Sequence, residues 1–479
     1  EKIKTGLQLK ADFTGNASDY NLNAYINNGI AVYDNQQYQM GDIDLTTKID
    51  AISTDVAIDS DFLVGVFKSN ASPKYIESAL TQQFKNYFND STQIVSAADS
   101  VQLKMDLKLR PIPILTEVFF RGLEQLDSVV VHADFNSATK KLNAELSVPS
   151  AKYDGSSIDS LGVLIKGDAT NLSFAAGLSA LNLDPIHIKK TYFEGNLKNQ
   201  KLLLGFSSVD KGKKVAHIAS EMTLKKDTTR IRINPAGLIL DRKEWSVPQD
   251  NQITLAKNFM AFENVALTKN AQRLSISNTI SGVEKEHLGI VFESFRLQTL
   301  LSLLNPDEAL ASGLVKGNFI LENPFGAKGI VADFRIDDLE VFKNPLGNLS
   351  LDATSRDNSV YDFNLSVKDG GMDIDLKGDY AAAETGATLD LDLDLNRVDL
   401  KFIEGFSDGA LKDSHGTISG NIDLFGTTSD PKYKGAINFN AADFNVASLN
   451  SVFKIPDETL KLDTDGLYLD NFRIADAND

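Results

Sequence analysis

The chain has 479 residues, a formal net charge of −18 and no cysteine. Its length suggests about three domains of ordinary size or one repeat array. Apolar residues make up 42% of the chain, which excludes general disorder. The lack of cysteine excludes disulfide frameworks, thiol nucleophiles and cysteine-ligated metal sites. The acidic balance argues against nucleic-acid binding and against electrostatic docking on anionic membranes, since both need clustered Lys and Arg.

The sequence has no apolar run long enough to cross a bilayer. Its first residues already alternate like a strand and do not resemble a signal peptide. We therefore interpret the chain as a segment of a longer protein whose membrane anchor, if it has one, lies in another segment.

Apolar and polar residues alternate along most of the chain. The clearest run is 389–395, which places four leucines on one face of a strand and three aspartates on the other. Turn signals such as Asp154-Gly155 and Asp369-Gly370-Gly371 separate such runs. This pattern predicts an all-β fold, a long antiparallel meander that is polar on one face and apolar on the other.

Four segments have the periodicity of short amphipathic helices. In chain order they are 73–88, 113–126, 297–304 and 400–406. Ser72 is suited to cap the first, and Pro73 to begin it. Each helix is expected to lay its apolar stripe on the apolar face of the sheet.

The last two predicted helices belong to an internal repeat. The first is followed by Gly313 and Gly317, the second by Gly416 and Gly420, at a shift of 103 residues. The shift holds through a G-x-x-x-G-N-x-x-L block and slips by three at the next glycine. We expect β-groove segments at 1–72 and 89–292 (with a helix near 113–126), a helix at 73–88, and repeat units at 293–396 and 397–479.

Searches for chemistry find no catalytic or metal-binding constellation. No two of the five histidines have the close spacing of metal ligands, and the aspartates of 389–395 do not fit an EF-hand. A nucleophile elbow and a phosphate-binding loop are also missing. We predict that the chain is not an enzyme and has no cofactor. Trp245 is expected in the core or at its rim.

A long meander must cover its apolar face. A second sheet could pack on it and give a dry core, or the sheet could curl into a trough around an apolar ligand. Alternation along the strands is compatible with both arrangements, so the residues alone leave them open.

A resemblance favours the trough. The segment 400–439 resembles a signature of the TamB family, related to AsmA-like proteins: a short apolar helix, a glycine pair, and a proline turn that opens a strand. The matching residues are Gly416, Gly420, Leu424, Gly426, Pro431 and Gly435. The segments 245–248 and 444–472 are similar to further family segments. The copy at 313–334 lacks the equivalent of Gly426. Residues 1–230 have the general character of the family but none of its motifs.

The resemblance implies a β-taco groove in the periplasm of a Gram-negative bacterium, anchored in the inner membrane through a preceding segment. It also implies a partner barrel of the BamA/TamA type in the outer membrane. The function implied is transport of phospholipid between the membranes, support of outer-membrane protein assembly, or both. Acyl chains would slide along the aliphatic floor while headgroups stay in water. The alternatives are a structural or adhesin-like β-repeat array with a dry core, and a β-helix polysaccharide enzyme, which would need clustered charges.

On this interpretation, particular residues are expected to line the groove. The strand residues are Leu103, Met105, Leu107, Phe319, Leu321, Ile374, Leu376, Leu389, Leu391, Leu393, Leu395, Ile418, Ile422, Leu424, Ile437 and Phe439. The helix residues are Ile76, Leu80, Phe84, Leu115, Val118, Phe119, Leu300, Leu304, Ile403 and Phe406.

Overall fold

A computed structural model describes residues 4–16, 18–88, 100–225, 227–326, 328–356, 359–382 and 386–476. These residues form long, curled antiparallel sheets with a few short helices, which confirms the predicted all-β meander. They divide into two compact units. Unit 1 comprises Glu1–Glu244, Thr254–Lys257 and Leu303–Pro306, and unit 2 comprises Trp245–Ile253, Asn258–Ser302 and Asp307–Asp479. The predicted segment 89–292 begins with residues 89–99, which lie outside the described residues.

The first nineteen strands belong to unit 1. They are β1 Lys4–Gly15, β2 Tyr20–Tyr33, β3 Gln36–Ile49, β4 Thr54–Ser60, β5 Leu63–Ser69, β6 Gln102–Leu109, β7 Leu123–Leu126, β8 Val129–Asn136, β9 Lys141–Tyr153, β10 Ser156–Gly167, β11 Asn171–Leu178, β12 Ala180–Leu183, β13 Ile186–Ile188, β14 Lys190–Lys198, β15 Lys201–Asp210, β16 Lys213–Lys225, β17 Thr228–Ile233, β18 Ile239–Leu240 and β19 Lys243–Glu244.

The remaining strands follow in chain order. They are β20 Gln252–Ala256, β21 Phe259–Glu263, β22 Val265–Lys269, β23 Gln272–Ser277, β24 His287–Arg296, β25 Ala311–Glu322, β26 Gly329–Val341, β27 Asn344–Ser355, β28 Val360–Lys368, β29 Met372–Ala381, β30 Thr388–Asp399, β31 Leu411–Thr427, β32 Asp430–Val446, β33 Ser451–Ile455, β34 Glu458–Asp463, β35 Gly466–Tyr468 and β36 Ala475–Asp476. The helices are α1 Pro73–Phe88, α2 Gln298–Leu301 and α3 Leu400–Gly405, and Leu115–Phe119 forms a π-helical turn.

Neighbouring strands in unit 1 pair in a register that aligns apolar residues across the sheet. Residues directly opposite each other on antiparallel strands share a face. One such row, which we call the closed row of unit 1, lies under α1 and is buried. Its members are Leu103, Phe135, Leu142, Leu172 and Leu197, and Gly167 of β10 lies in the row between Leu142 and Leu172.

Helix α1 has the predicted bounds and covers the closed row. Ile76 and Tyr87 are buried in the same cluster, and Ala79 and Leu80 pack against it. Gln83 is 2% exposed. Its amide nitrogen donates to the Tyr87 hydroxyl at 2.6 Å and to the carbonyls of two hairpin turns. These residues recur at helical spacing, so the stripe that faces the sheet is one side of the helix.

The prediction of one helix over 113–126 is wrong. The structure has the π-helical turn Leu115–Phe119 and then strand β7, which pairs with the end of β9. Gly122 separates the two with a φ of +96°, a left-handed conformation that ends a helix and that glycine adopts at low cost. The turn packs Ile114 and Val118 against Ala31 and Tyr38.

The prediction of a helix over 297–304 is also too long. Helix α2 ends at Leu301, and residues 303–306 belong to unit 1. There the carbonyl of Leu304 accepts the N–H of His187 at 2.7 Å, and the buried Asn305 donates to the carbonyl of Pro185. These bonds hold the chain in a non-helical path, and Pro306 follows. Helix α3, in contrast, agrees with the predicted 400–406 to within one residue.

The internal repeat is present as two strand pairs of equal register. In the first, Gly317 faces Phe334 and Leu321 faces Ile330. In the second, Gly420 faces Ile437 and Leu424 faces Tyr433. Each paired residue of the second strand pair lies 103 positions after its counterpart in the first, so the counterpart of Gly435 is Ala332. The slip of three residues that the glycines predicted is therefore absent from the strand pairing.

Candidate functional site

The apolar face of unit 1 has a second row beside the closed row. It lies four residues further along the strands, a distance of about 13 Å. Each residue faces the next across adjacent strands, and none is buried. This open row of unit 1 consists of Leu107, Val131, Leu146, Val163, Ala176, Phe193, Phe206 and Ile218. Phe193 is 39% exposed.

Unit 2 has the same arrangement. Its open row consists of Phe292, Gly317, Phe334, Leu351, Leu365, Leu376, Leu393 and Ile422, all of which are half-buried. Further along four of these strands, by two residues or, across the bulge of β24, by three, the side chains are buried: Phe295, Val315, Ile336 and Val367. Trp245 is buried against Phe295, with ring centroids 5.5 Å apart, as expected of a core residue.

The register brings many of the predicted lining residues together. Direct cross-strand pairs include Ile374 with Leu395 and Leu391 with Leu424. The half-buried members of the predicted set are Met105, Leu107, Leu321, Ile374, Leu376, Leu389, Leu391, Leu393, Leu395, Ile418, Ile422, Leu424, Ile437 and Phe439. Phe319 is 42% exposed, whereas Leu103 lies in the closed row.

Glycines interrupt the rows of unit 2, and at these positions no side chain projects from the sheet. Gly378 faces Leu391 and has a φ of +145°. Glycine adopts this conformation at little cost, unlike residues that have a side chain. A Cβ atom on Gly317 would lie 2.0 Å from the carbonyl oxygen of Asp333. The strands therefore require glycine at these points, and no side chain stands beside the residues opposite, which are Leu391 for Gly378 and two phenylalanines for Gly317.

The predicted helix residues fall into three groups. Ile76 and Leu80 of α1, Val118 of the π-helical turn and Ile403 of α3 pack against apolar clusters of the sheets. Leu115 is half-buried, and Leu304 lies outside the helix. The exposed members, at 39–59%, are Phe84, Phe119, Leu300 and Phe406.

The opposite face of the sheets is polar. Asp390 and Asp392 are exposed, as the alternation of β30 requires. His132 lies 2.5 Å from Asp106 and holds the pKa of that carboxyl below its usual value, helped by Lys104. Arg356 bonds to both Asp362 and Asp379. It lowers the pKa of Asp362, whereas the pKa of Asp379 is raised because its protonated carboxyl donates a hydrogen bond to Asp362.

Within the described ranges, no group of three or more histidines and carboxylates is placed to hold a metal ion. Among the same residues, no helix is both long and apolar enough to cross a membrane.

The predicted lining residues do not include two residues that shape the site, although helical spacing placed one of them, Ile114, on an apolar stripe. Gln83 lies on the α1 stripe at seven residues from Ile76, so its position was readable from the helical period, but its polarity concealed it. Ile114 is 4% exposed in the cluster with Ala31 and Tyr38. It lies just before the π-helical turn, where an ideal helical period does not apply.

Comparisons of the chain with protein-family models, with curated proteins and with solved structures found no match.

Proposed function

We propose that the apolar face of each unit binds the acyl chains of phospholipids and lets them move from strand to strand. The observation that carries this proposal is the contrast between two rows on one face. In unit 1 the closed row is buried under α1, while the open row beside it, equally apolar, is partly exposed. An apolar surface of this extent is unfavourable in water, so an apolar ligand is its natural complement.

The geometry also supports movement. The open row of unit 1 crosses eight strands, about 34 Å at a strand spacing of about 4.8 Å. Its members are aliphatic or aromatic at every step, so an acyl chain meets similar contacts wherever it lies. Each buried methylene gains about 0.8 kcal/mol at any position. A nearly level path allows passive transfer, with headgroups in water.

Two wider features of the proposal rest on the resemblance to the TamB family. These are transfer between an inner and an outer membrane across the periplasm, and a partner barrel of the BamA/TamA type. Support of outer-membrane protein assembly belongs to the same resemblance.

A structural array with a dry core is the competing function. It is favoured by the closed row of unit 1 and by the buried residues Phe295, Val315, Ile336 and Val367 in unit 2. These strips hold each unit together, and they occur in a lipid-binding groove and in a structural array alike. Only the open rows distinguish the two functions, because a structural array with a dry core would cover them.

Lipid retention tests the proposal. The purified chain is incubated with radiolabelled phosphatidylethanolamine in detergent, the detergent is removed, and bound lipid is counted. The Leu393→Asp variant puts a carboxylate in the open row of unit 2 and should retain several-fold less lipid, whereas Asp392→Asn, on the polar face, should retain as much as the unaltered chain. Equal retention by both variants, or none by the unaltered chain, favours the structural array.

A further inference from the structure

The net charge of the chain is unevenly divided between the two units. Unit 1 has 29 Lys and Arg residues against 29 Asp and Glu residues, so the charge of −18 belongs to unit 2. The acidity of the chain is therefore no argument against an anionic partner of unit 1. Within unit 1, moreover, the two ends of the strands differ in charge.

One end of the strands of unit 1 carries a series of lysines, and we call it the basic rim. It comprises the C-terminal half of α1 and the hairpin turns that follow β8, β10, β14 and β16. Every lysine that the structure describes there is at least partly exposed. These lysines are Lys85, Lys140, Lys141, Lys198, Lys201 and Lys225.

Fewer carboxylates than lysines lie at the basic rim. Asp134 and Glu221, on the polar face, form ion pairs with two of the lysines at 3.6 Å and 2.9 Å. The turns themselves contribute Asp168 and Asp227, and Asp168 accepts two N–H groups of its own turn at 2.7 Å and 2.9 Å. In the described part of the rim, six lysines therefore meet four carboxylates, which leaves a positive surplus.

The opposite end of the strands is more nearly balanced. Asp154, Asp210 and Asp241 lie at the turns after β9, β15 and β18. Arg242 pairs with Asp210 at 3.0 Å, and Lys243 pairs with Asp241 at 2.7 Å. The positive surplus is thus a local property of the basic rim.

Helix α1 brings exposed aromatic side chains to the basic rim. Phe84 is 39% exposed and Phe88 is 46% exposed, and the exposed Lys85 lies between them in the chain. Gln83 and Tyr87 fix the helix in place, because they donate to backbone carbonyls of the turns after β8 and β10, at 3.1 Å and 2.8 Å. The rim therefore presents apolar rings beside ammonium groups.

The last two turns continue the basic rim. Lys198, just before the turn after β14, lies opposite Asn171, just after the turn that follows β10. The N–H of Leu224, close to the turn after β16, donates to the carbonyl of Gln200 at 2.9 Å. These contacts place the four turns side by side, so their lysines form one surface.

A cavity of about 400 Å³ lies at the turn after β16. Its lining includes Lys225, Lys257, Thr228 and Leu255, together with Asp227. Ammonium and hydroxyl groups donate hydrogen bonds to phosphate oxygens, and a leucine contacts methylene groups. The cavity is therefore chemically suited to a phospholipid headgroup and the first methylenes of its chains.

We propose that the basic rim docks on the surface of an anionic phospholipid bilayer. The lysines attract the lipid phosphates, while Phe84 and Phe88 enter the boundary between headgroups and acyl chains. The lysines alone would also suit an acidic protein. A bilayer is favoured because the same strands carry the apolar face that binds acyl chains, and this choice of partner rests on the proposed function.

Vesicle binding by the full chain tests the proposal. The vesicles contain equal parts of phosphatidylglycerol and phosphatidylcholine, and bound protein is measured after the vesicles are sedimented. Lys85→Gln with Lys198→Gln removes two charges from the basic rim. Lys152→Gln with Lys190→Gln removes two exposed charges from the opposite end of the strands and is the matched control. Phe84→Ala removes an exposed ring.

We expect binding that is about ten-fold weaker in the rim pair, within about two-fold of the unaltered chain in the control pair, and several-fold weaker in Phe84→Ala. Vesicles of phosphatidylcholine alone should bind about ten-fold less protein. Equal weakening by the two lysine pairs, or no binding, would overturn the proposal. Unchanged binding in Phe84→Ala would overturn it as well, because it would leave only the lysines and so indicate an acidic protein partner.

The Leu393→Asp variant separates this proposal from the groove. It should bind the mixed vesicles as the unaltered chain does, although it retains less lipid. Loss of vesicle binding in this variant would assign the binding to the groove and overturn docking by the rim. Rim-dependent vesicle binding by a chain that retains no lipid would contradict the groove alone.

Discussion

Leu391 and Asp392 are adjacent in the chain and lie on opposite faces of β30. The sequence was sufficient to predict that their side chains lie on opposite faces, because the side-chain period of a strand is two. It was not sufficient to say how exposed Leu391 is, since exposure depends on what covers the face. Leu103 shows the limit: it alternates like Leu107 on the same strand, yet only Leu103 lies under α1 and is buried.

Substitution of Gly317 should destabilise unit 2. The residue has a φ of +108°, and a Cβ atom would collide with the Asp333 carbonyl. We expect Gly317→Ala to cost about 2 kcal/mol of unfolding free energy, measured by urea denaturation. Gly466→Ala is the control, because the space around it is open; a shift there as large as at Gly317 would contradict the steric argument.

His217 should make the stability of unit 1 fall on acidification. Its folded-state pKa is lowered mainly by burial, so below about pH 6.5 the unfolded chain binds the proton more readily. The stability that neutral His217 contributes is therefore complete above that pH and is lost as the pH falls through the folded-state pKa. Urea denaturation at pH 7.5 and at pH 5 should show a smaller loss for His217→Gln than for the unaltered chain. An equal loss of stability in both proteins would show that groups other than His217 cause the pH dependence.

At the scale of elements, helix prediction succeeded where one amphipathic stripe ran without interruption. Helix α1 has such a stripe and a proline start, and its predicted bounds are confirmed. Residues 113–126 have helical spacing too, but Gly122 and pairing with β9 convert their second half to a strand. At 303–306 long-range bonds to residues 185 and 187 override local preference. Such distant partners are not visible in a local pattern.

The docking of α1 on the closed row should dominate its contribution to stability. Ile76 is 7% exposed and Phe84 is 39% exposed. We expect Ile76→Ala to lower the unfolding free energy by about 2–4 kcal/mol, and Phe84→Ala by about 1 kcal/mol or less. Thermal or urea denaturation of the two variants checks this order. A larger effect at Phe84 would mean that α1 presents a different side to the sheet.

At the scale of the whole molecule, the same plan recurs in both units. Each has an apolar face with one buried strip and one open row, and a polar face with exposed carboxylates. Composition and alternation predicted the all-β meander and the two faces. The division of the apolar face into closed and open rows could not be predicted, because it depends on where the helices and turns dock.

The central claim is that the accessible part of the apolar face, on the open rows and beside them, contacts lipid. A photo-crosslinking amino acid is placed in turn at Leu391, at Asp392 and at Val315, which are half-buried on the apolar face, exposed on the polar face and buried, respectively. The chain is then incubated with radiolabelled phosphatidylethanolamine and irradiated. We expect labelled lipid on the Leu391 variant alone. Absence of label at Leu391 in a folded chain, or equal label at Leu391 and Asp392, would contradict the account.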